Sequence, residues 1–274
     1  MTPLVSVIIP TKNSARTIGA CIASIQRQTY SNTEIILVDN ESTDDTRAIG
    51  EKMHVSVLQA GDERSAQRNA GAKQSRGAYV LFIDSDMELT PSVIEECVQI
   101  METSAHIQAI TILEESFGTT FWADCKQFER SCYDATPWLH SARFMRRELF
   151  AALFGYREDL IGAEDFDMQK RILGYCGAKS ISRTSAKIRH NEGALTLRGL
   201  LKKKYYYGQN MDRYVQNKTT TAYALKQANP LHRLRFFFGR PDMIRKHPII
   251  FLGTCFMKIM EFFALGLGYI SKHV

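Results

Sequence analysis

The first hundred residues alternate between short apolar runs and segments in which apolar residues recur at helical spacing. Continuous apolar runs of this length predict buried strands, and apolar residues three or four positions apart predict amphipathic helices. The predicted strands are VSVIIPT (5–11), EIILVDN (34–40), VSVLQA (55–60) and AYVLFID (78–84), and the predicted helices are 14–28, 42–53 and 64–75. This order predicts an α/β fold, a mainly parallel sheet with helices on both faces.

Polar residues stand at the carboxyl ends of three predicted strands. They are Thr11, which follows Pro10, then Asp39 and Asn40, and then Asp84, Ser85 and Asp86. Ligands of open α/β sheets bind at the carboxyl ends of the strands. We therefore expect these polar clusters to converge on one edge of the sheet and to form a binding site there.

Two carboxylates, Asp84 and Asp86, follow the apolar run in LFIDSDMEL (81–89). If the chain stays extended through Ser85, both side chains point the same way, because alternate residues of a strand share a face. Two close like charges repel and favour a cation between them. A hard divalent cation such as Mg²⁺, which typically uses one or two carboxylates plus substrate phosphates, fits this pattern. The alternative is a strand that ends in a solvated acidic turn.

Composition places the chain among globular proteins. It has 274 residues, of which 45% are hydrophobic, enough for a sizeable core. No C-x-x-C pair occurs among the six cysteines, so neither a zinc site nor a redox motif is predicted, and reduced thiols in a cytosolic setting are expected. The N-terminus MTPLVSVIIPTKN has no basic region or cleavage site and is interpreted as a first strand rather than a signal peptide.

Charge is unevenly distributed along the chain. Residues 196–246 contain twelve Lys or Arg and two Asp, a net charge of +10, and residues 247–274 add +1. Since the whole chain carries +6, residues 1–195 carry −5. A basic C-terminal segment on an acidic body predicts an anionic partner, either a nucleic acid or an anionic membrane.

The C-terminal segment combines basic, aromatic and apolar stretches. LLKKKYYYGQNMDRY (200–214) sets lysines beside tyrosines, which is typical of membrane interfaces. The alternative is a charged helix that covers the predicted binding site, with Tyr207-Gly208 as part of a gate. The segment after His247 is long enough to span a bilayer as a helix of roughly 35 Å. Because Lys258 and Glu261 interrupt it and form a polar stripe with Thr254, we expect a helix or hairpin in the interface instead. The alternative is a helix that packs on the predicted α/β domain or on a second subunit.

Four stretches together resemble the family 2 glycosyltransferases with the GT-A fold. They are SVIIPTKN, EIILVDNESTDDT, SAQRNAGAKQSRGAYVLFIDSDMEL and LIGAEDFDMQKRI, in order within residues 4–195. The resemblance implies a nucleotide-sugar donor linked to UDP or GDP, a bound Mn²⁺ or Mg²⁺, and inverting transfer. The chain departs from the family at Tyr156 and Arg157, where the family often has Gly-Gly-Phe-Asp-Glu.

The resemblance also assigns donor-binding residues. Asp39 matches the family's nucleoside-binding aspartate, with helix capping as the alternative, and Thr11 with Pro10 is expected to line the base pocket. Arg68 in QRNAG matches the family's Ala-Arg-Asn-x-Gly and is expected at the donor site. Arg64 lies one helical turn earlier on the same face, where it either joins Arg68 on the phosphates or belongs to an exposed helix face.

For the metal, the resemblance points to Asp86 as the direct ligand. Asp84 is expected to contact the ribose or a metal-bound water, and Ser85 to lie at the donor. Some GT-A enzymes place a histidine after their Glu-Asp helix, which makes His190 in IRHNEG a candidate metal or pyrophosphate contact. The alternative for His190 is a structural role.

The general base is expected from GAEDFDMQKRI (162–172). The acceptor hydroxyl must lose a proton as it attacks the anomeric carbon, and a carboxylate can accept it. The resemblance assigns that role to Asp165, with Glu164 in reserve or orienting the acceptor. The alternative is ordinary acid at a helix N-terminus, which is the expectation for Asp167.

The sequence thus predicts a metal-dependent inverting glycosyltransferase acting on a lipid-linked or saccharide acceptor at the cytoplasmic face of the plasma membrane, in polysaccharide synthesis. The predicted parts are a nucleotide-sugar-binding half (1–100), an acceptor-binding and catalytic half (101–195) and a helical extension (196–274). A nucleotidylyltransferase is the first alternative, disfavoured because PTKNSART lacks a glycine-rich phosphate loop. A nucleic-acid-binding protein is the second, disfavoured because the basic segment has no recognisable motif; no nucleic-acid partner is therefore expected.

Overall fold

The computed structural model describes residues 2–134, 136, 140–211 and 230–273. Its contacts divide the chain into an N-terminal unit (1–114, 140–158 and 164–191) and a C-terminal unit (115–139, 159–163 and 192–274). The packing thus groups residues 115–139 with the C-terminal segment, whereas the halves expected at 1–100 and 101–195 are functional divisions and stay predictions. Part of the predicted basic stretch, residues 212–229, lies outside the described residues.

One eight-stranded sheet runs in the order β3-β2-β1-β4-β7-β6-β8-β5. Its strands are β1 Val5–Thr11, β2 Thr33–Asp39, β3 Ser56–Gln59, β4 Tyr79–Phe82, β5 Met87–Leu89, β6 Ala109–Gly118, β7 Ala142–Arg146 and β8 Ile181–Gly193. Strands β1 to β4 are parallel, whereas β7 runs antiparallel to β4 and β6, and β5 antiparallel to β8. The predicted α/β fold with a mainly parallel first half is confirmed.

Eleven helices occur in the described part of the chain. They are α1 Ala15–Gln26, α2 Thr46–Lys52, α3 Arg64–Gln74, α4 Val93–Thr103, α5 Phe121–Ser131, α6 Arg147–Ala152, α7 Glu164–Cys176, α8 Leu197–Gln209, α9 Pro230–Phe237, α10 Pro241–Lys246 and α11 Pro248–Ser271. The three helices predicted in the first hundred residues correspond to α1, α2 and α3. All six cysteines are free thiols.

The central strands are buried on both faces, which explains their continuous apolar sequences. Every residue of β1 is buried, and α1 covers one face of the sheet with Ile18, Cys21, Ile22 and Ile25, the four residues whose spacing predicted the helix. Full burial of an aliphatic side chain contributes about 1.5–3 kcal/mol. This rigid core fixes the carboxyl ends of β1, β2 and β4 next to one another.

The chain does not stay extended between Asp84 and Asp86, so the expectation that their side chains share a strand face is wrong. Strand β4 ends at Phe82, and the amide of Met87 donates to the carbonyl of Asp84 at 3.0 Å, closing a turn. The physical reason is that β5 pairs with β8 at the far edge of the sheet, away from β4. The turn sends the two carboxylates toward different partners.

In the C-terminal unit, α8 and α11 cross at very short distance through two glycines. A Cβ atom on Gly208 would lie 2.1 Å from the carbonyl oxygen of Leu265, and one on Gly268 would lie 2.1 Å from that of Tyr205. No larger residue fits at either position without separating the helices. The sequence Tyr207-Gly208, considered above as part of a gate, therefore has a packing role at this crossing.

Helix α11 turns its polar stripe inward. Thr254, Lys258 and Glu261 are buried, and Lys258 and Glu261 join Lys126 and Glu129 of α5 in a closed ring of four ion pairs, here called the charge ring. The ring distances are 2.5 Å for Lys258–Glu129, 2.6 Å for Lys258–Glu261, 2.7 Å for Lys126–Glu129 and 2.9 Å for Lys126–Glu261. Each of the four charged groups in the ring therefore contacts two groups of opposite charge, which offsets the cost of burying it.

The opposite face of α11 is apolar and open to solvent. The side chains that form this apolar stripe are 45–72% exposed: Ile249, Leu252, Phe256, Ile259, Phe263, Leu267 and Ile270. Helix α11 is also long and apolar enough to cross a membrane by length and composition. It is one continuous helix, so the hairpin considered above is wrong. Phe251 packs on Phe128, with ring centroids 6.1 Å apart, and is not part of the exposed stripe.

Candidate active site

Arg68 is the centre of the site in the N-terminal unit. It projects from α3, is completely buried, and contacts three carboxylates at once. Its Nη2 lies 2.7 Å from Asp84 Oδ1 after β4, and its Nη1 lies 3.1 Å from Asp165 Oδ1 and 3.3 Å from Glu164 Oε1 at the start of α7. One guanidinium therefore joins the predicted donor-binding acid to both candidates for the general base.

The carboxylates around Arg68 differ in their protonation behaviour. Burial works to raise the pKa of Asp84, but nearby guanidinium groups, above all those of Arg68 and Arg143, outweigh it and hold that pKa well below its usual range. Burial and the charge of Asp165 raise the pKa of Glu164, against the opposing effect of nearby arginines. Glu164 Oε2 is buried and accepts no hydrogen bond. Asp84 is thus a fixed anion, whereas Glu164 holds a proton more readily than a free glutamate does.

Asp86 and His190 form a second cluster. Asp86 Oδ2 lies 3.3 Å from His190 Nε2, and the other ring nitrogen, Nδ1, lies 3.4 Å from Glu114 Oε2. The pairing of β5 with β8 places Met87 opposite His190, which brings Asp86 beside the ring. Glu114 is in turn bound by Arg143, whose Nη2 lies 2.8 Å from Glu114 Oε1 and 3.7 Å from Asp84 Oδ2.

The cluster of Asp86 and His190 suits a divalent cation whose remaining ligands come from a bound substrate. Within the residues that the structure describes, no three His, Cys, Asp or Glu side chains form a ready metal-binding group. Asp86 and His190 nevertheless offer a carboxylate and an imidazole side by side, a donor set that Mn²⁺ accepts and Mg²⁺ accepts less readily. Both oxygens of Asp84 face arginines, Arg68 and Arg143, and the contact of Asp84 with the ribose or the metal stays a prediction.

The predicted nucleoside end of the site lies at the carboxyl ends of β1 and β2. Asp39 is fully buried; the hydroxyl groups of Thr11 and Ser42 donate to its Oδ1 at 3.0 and 2.6 Å, and the Ser42 amide donates to its Oδ2 at 2.9 Å. Asp39 does not cap α2, which begins at Thr46. Gln67, which the sequence did not single out, donates to the carbonyls of Thr11 at 2.8 Å and Val38 at 2.7 Å and ties the two strand ends together.

The remaining predicted residues lie around these groups. Arg64 Nη2 is 3.7 Å from Glu164 Oε1, so Arg64 belongs to the carboxylate cluster as well as to the helix surface. The hydroxyl of Ser85 donates to that of Ser14 at 2.8 Å. Pro10 is buried within β1. Asp167 pairs with Arg171 one turn later in α7 at 2.7 Å, which is the structural role expected for it.

A second missed residue, Asn69, holds the loop in which the chain departs from the expected motif. Its Oδ1 accepts from the amide of Tyr156 at 2.8 Å, and its Nδ2 donates to the Tyr156 carbonyl and to Glu158 Oε1, both at 2.9 Å. Gly155 has φ +69°, and a Cβ there would lie 2.5 Å from Asn69 Oδ1. The loop places the Tyr156 ring against the guanidinium of Arg68, 5.3 Å from the ring centroid.

A model of the family described as "Glycosyl transferase family 2" matches residues 6–157, more than half of the chain. The chain belongs to the family 2 glycosyltransferases. The matched range includes β1 to β4, Arg68 and both aspartates of the strand-end turn. The predicted family is thereby confirmed, with the first three motifs inside the matched range. LIGAEDFDMQKRI lies beyond that range, and the role of each individual residue stays a prediction.

Curated relatives match about a third of the chain. UDP-Glc:alpha-D-GlcNAc-diphosphoundecaprenol beta-1,3-glucosyltransferase WfgD from Escherichia coli is 35% identical over 95 residues, which cover 30% of this chain and 35% of WfgD. The chain spans about a third of the length of such curated relatives.

Solved structures match nearly the whole chain in fold. Mannosyltransferase PcManGT from Pyrobaculum calidifontis, in complex with GDP-Man and Mn²⁺, has a TM-score of 0.66 at 14% identity and covers 98% of this chain and 88% of that one. TarS 1-349 from S. aureus, in complex with UDP, has a TM-score of 0.51 at 19% identity and covers 98% and 91%. At these identities the likeness shows the fold alone, and it confirms the GT-A architecture.

Proposed function

We propose that this family 2 glycosyltransferase moves a sugar from a nucleotide-diphosphate sugar to a hydroxyl or phosphate acceptor, with inversion and with a divalent metal. The observation that carries the proposal is the three-carboxylate grouping around Arg68. It brings a strand-end aspartate and the Glu164-Asp165 pair, which are about eighty residues apart in the sequence, to one buried guanidinium. Donor-binding and base chemistry are thereby adjacent, as group transfer requires.

The donor is proposed to be linked to UDP or GDP. Asp39 and Thr11 stand at the carboxyl ends of neighbouring strands, where a nucleoside is expected in this fold. Asp39 already accepts three hydrogen bonds, and a carboxylate offers about four acceptor positions, which leaves capacity for one ligand donor. The UDP and GDP-Man bound by the solved structures of the same fold support this donor class.

Asp86 and His190 are the residues that would hold Mn²⁺ or Mg²⁺. When bound, such a cation would offset the negative charge of the departing nucleoside diphosphate. The chain's own contribution is to keep Asp86, which precedes β5, beside His190 of β8. The Mn²⁺ in the Pyrobaculum complex supports the choice of a divalent ion.

Asp165 is proposed as the general base. About a quarter of its side chain is exposed, against 3% for Glu164, so an acceptor hydroxyl can reach it. Arg68 contacts Asp165 Oδ1 at 3.1 Å and orients the carboxylate. Glu164 is buried and its pKa is raised. It is therefore kept as the reserve base, or as a group that orients the acceptor.

The acceptor is proposed to be lipid-linked, and the enzyme to work peripherally or monotopically at the cytoplasmic face of the plasma membrane in polysaccharide synthesis. The undecaprenol-linked substrate named for the Escherichia coli relative supports the acceptor class. Exposed basic residues on the C-terminal unit, Lys202 and Lys203 on α8 and Arg245 and Lys246 on α10, suit an anionic surface. The exposed apolar stripe of α11 suits shallow insertion.

A transfer assay tests the function. The protein is incubated with UDP- and GDP-sugars, Mn²⁺ and an undecaprenyl-diphosphate-linked sugar, and release of nucleoside diphosphate is measured with and without acceptor. We expect acceptor-dependent release that chelation abolishes. Release of pyrophosphate from a nucleoside triphosphate and a sugar phosphate, with no transfer from any nucleotide sugar, would instead show nucleotidylyl transfer and contradict the proposal.

Membrane binding is tested separately by sedimentation with vesicles that contain anionic lipid. Replacing Phe256 and Phe263 by serine should weaken binding at low and high salt, because apolar burial is not screened. Replacing Lys202 and Lys203 by glutamate should weaken it mainly at low salt. A wild-type protein that stays in the supernatant at low salt would contradict the membrane proposal.

A further inference from the structure

Five neighbouring strands each contribute one charged or titratable residue to a continuous line across the sheet. In sheet order β4, β7, β6, β8 and β5, these residues are Asp84, Arg143, Glu114, His190 and Asp86, here called the charged line. Asp84 follows β4 and Asp86 precedes β5; the other three lie within their strands. Asp84 also contacts Arg68 at 2.7 Å, so the line connects the candidate metal ligands with the carboxylates around Arg68.

Arg143 and Glu114 form the middle of the charged line, and neither was predicted as a site residue. Arg143 is nearly buried, and its Nε and Nη2 lie 2.9 and 2.8 Å from the same oxygen, Glu114 Oε1. This leaves Glu114 Oε2 facing His190 Nδ1 at 3.4 Å. The far side of the ring, Nε2, faces Asp86 Oδ2 at 3.3 Å.

We propose that Glu114 and Arg143 are positioning residues that prepare His190 to bind a divalent cation. Arg143 fixes the Glu114 carboxylate, Glu114 accepts from Nδ1–H of His190, and the lone pair of Nε2 is thereby directed to the side of Asp86. Metal-binding histidines commonly donate their other ring N–H to a carboxylate, which sets the tautomer and the ring orientation. This inference rests on the proposed metal-dependent function and names residues that serve its metal site.

The arrangement predicts an unusual effect of the isosteric change Glu114→Gln. Arg143 has only donors, so the amide oxygen of the new side chain stays with Arg143 and its NH₂ group faces His190. An NH₂ group favours the tautomer with a bare Nδ1, which places a proton on Nε2 where the metal would bind. The change therefore keeps the shape of the site and reverses the tautomer.

Two readouts test this inference. The first is the affinity for UDP and for GDP by isothermal titration, with Mn²⁺ and with EDTA, in wild type, Glu114→Gln, Arg143→Lys and the control Glu115→Gln. Glu115 is the next residue of β6, and its side chain is exposed. The second is the ¹⁵N spectrum of the His190 ring at pH 8.5 without metal, assigned by comparison with His190→Gln.

We expect Glu114→Gln to lose about 10–100-fold of the Mn²⁺-dependent affinity, with the affinity in EDTA unchanged and the proton moved from Nδ1 to Nε2. Arg143→Lys should lose affinity in the same direction, and Glu115→Gln should match wild type. If wild type shows Mn²⁺-dependent binding that Glu114→Gln and Arg143→Lys both retain, or if wild-type His190 carries its proton on Nε2, this inference is overturned while the proposed function stands. If wild type binds neither nucleotide, both fail. The wild-type spectrum and Arg143→Lys decide the matter even where Glu114→Gln does not fold.

Discussion

Replacing Lys258 by methionine removes one cation from the charge ring while keeping most of the volume of the side chain. Lys258 Nζ lies 2.5 Å from Glu129 Oε1 and 2.6 Å from Glu261 Oε2, and all three side chains are less than a tenth exposed. Lys126 would remain between two buried carboxylates. Breaking a buried ion pair by removing one partner typically costs about 3–5 kcal/mol, and we expect a loss of stability of that size.

The assay is urea unfolding followed by tryptophan fluorescence; one of the two tryptophans, Trp122, lies in α5, one turn before Lys126. With a slope of about 2 kcal/mol per M urea, the expected loss moves the midpoint down by roughly 2 M. The matched control is Lys246→Met on the exposed end of α10, which should change the free energy of unfolding by less than about 0.5 kcal/mol.

A double variant separates loss of charge balance from loss of packing. Adding Glu261→Met to Lys258→Met removes both members of one ion pair, 2.6 Å apart, and leaves Lys126 and Glu129 paired at 2.7 Å. The double variant should therefore be clearly more stable than the sum of the two single losses predicts. Additive losses, or a Lys258→Met variant as stable as the Lys246→Met control, would refute the reasoning that the inward charges of α11 stabilise one another.

Three further predictions concern the catalytic site and the response to pH. Asp86→Ala should abolish the Mn²⁺-dependent rise in melting temperature with nucleoside diphosphate and leave the melting temperature without ligand nearly unchanged; a preserved Mn²⁺ effect would remove Asp86 from the metal site. Asp165→Asn should retain donor binding and lose transfer by at least about 100-fold, and transfer near the wild-type rate would make Glu164 the better candidate. Burial works to raise the pKa of Glu129, but Lys126 and Lys258 outweigh it and lower that pKa from 4.5 to about 2. Because the pKa is lower in the folded state, the stabilisation is present above pH 4.5 and is lost as the pH falls toward 2; the C-terminal unit should lose about 2 kcal/mol between pH 5 and pH 3 in urea unfolding, and a flat profile would contradict this.

The strands and helices of the parallel half were predictable because burial determines where apolar residues stand in their sequences. A parallel strand is covered on both faces, so its apolar run has clear ends, and the prediction for residues 5–11 coincides with β1. The spacing of Ile18, Cys21, Ile22 and Ile25 likewise identifies the buried face of α1. No distant contact is needed to recognise these elements.

The strand-end turn was not predictable from its own sequence. An extended run from 78 to 86 is locally reasonable, but β5 pairs with β8 about a hundred residues later, and that pairing forces the chain to turn at Asp84. Glu114 and Arg143 were not predicted as site residues for a related reason. They are ordinary charged residues in their own strands, and only the sheet order β7-β6-β8 places them beside His190.

The orientation of α11 could not be predicted from its own sequence either. Its sequence predicts a helix with a narrow polar stripe, but the direction of that stripe depends on its neighbours. Lys126 and Glu129 of α5 provide complementary charges, so the polar stripe faces inward and the apolar residues face solvent. A sequence pattern identifies two faces of a helix, and only the partner decides which face is buried.

The most direct test of the account is a titration of UDP and GDP into the wild-type protein, with and without Mn²⁺. If the N-terminal unit is a metal-dependent donor site, one of the two nucleotides should bind at least about tenfold more tightly with Mn²⁺ than with EDTA, a difference of about 1.4 kcal/mol. Binding of neither nucleotide, or equal binding with and without the metal, would contradict the central claim that this chain uses a nucleotide-sugar donor and a divalent cation.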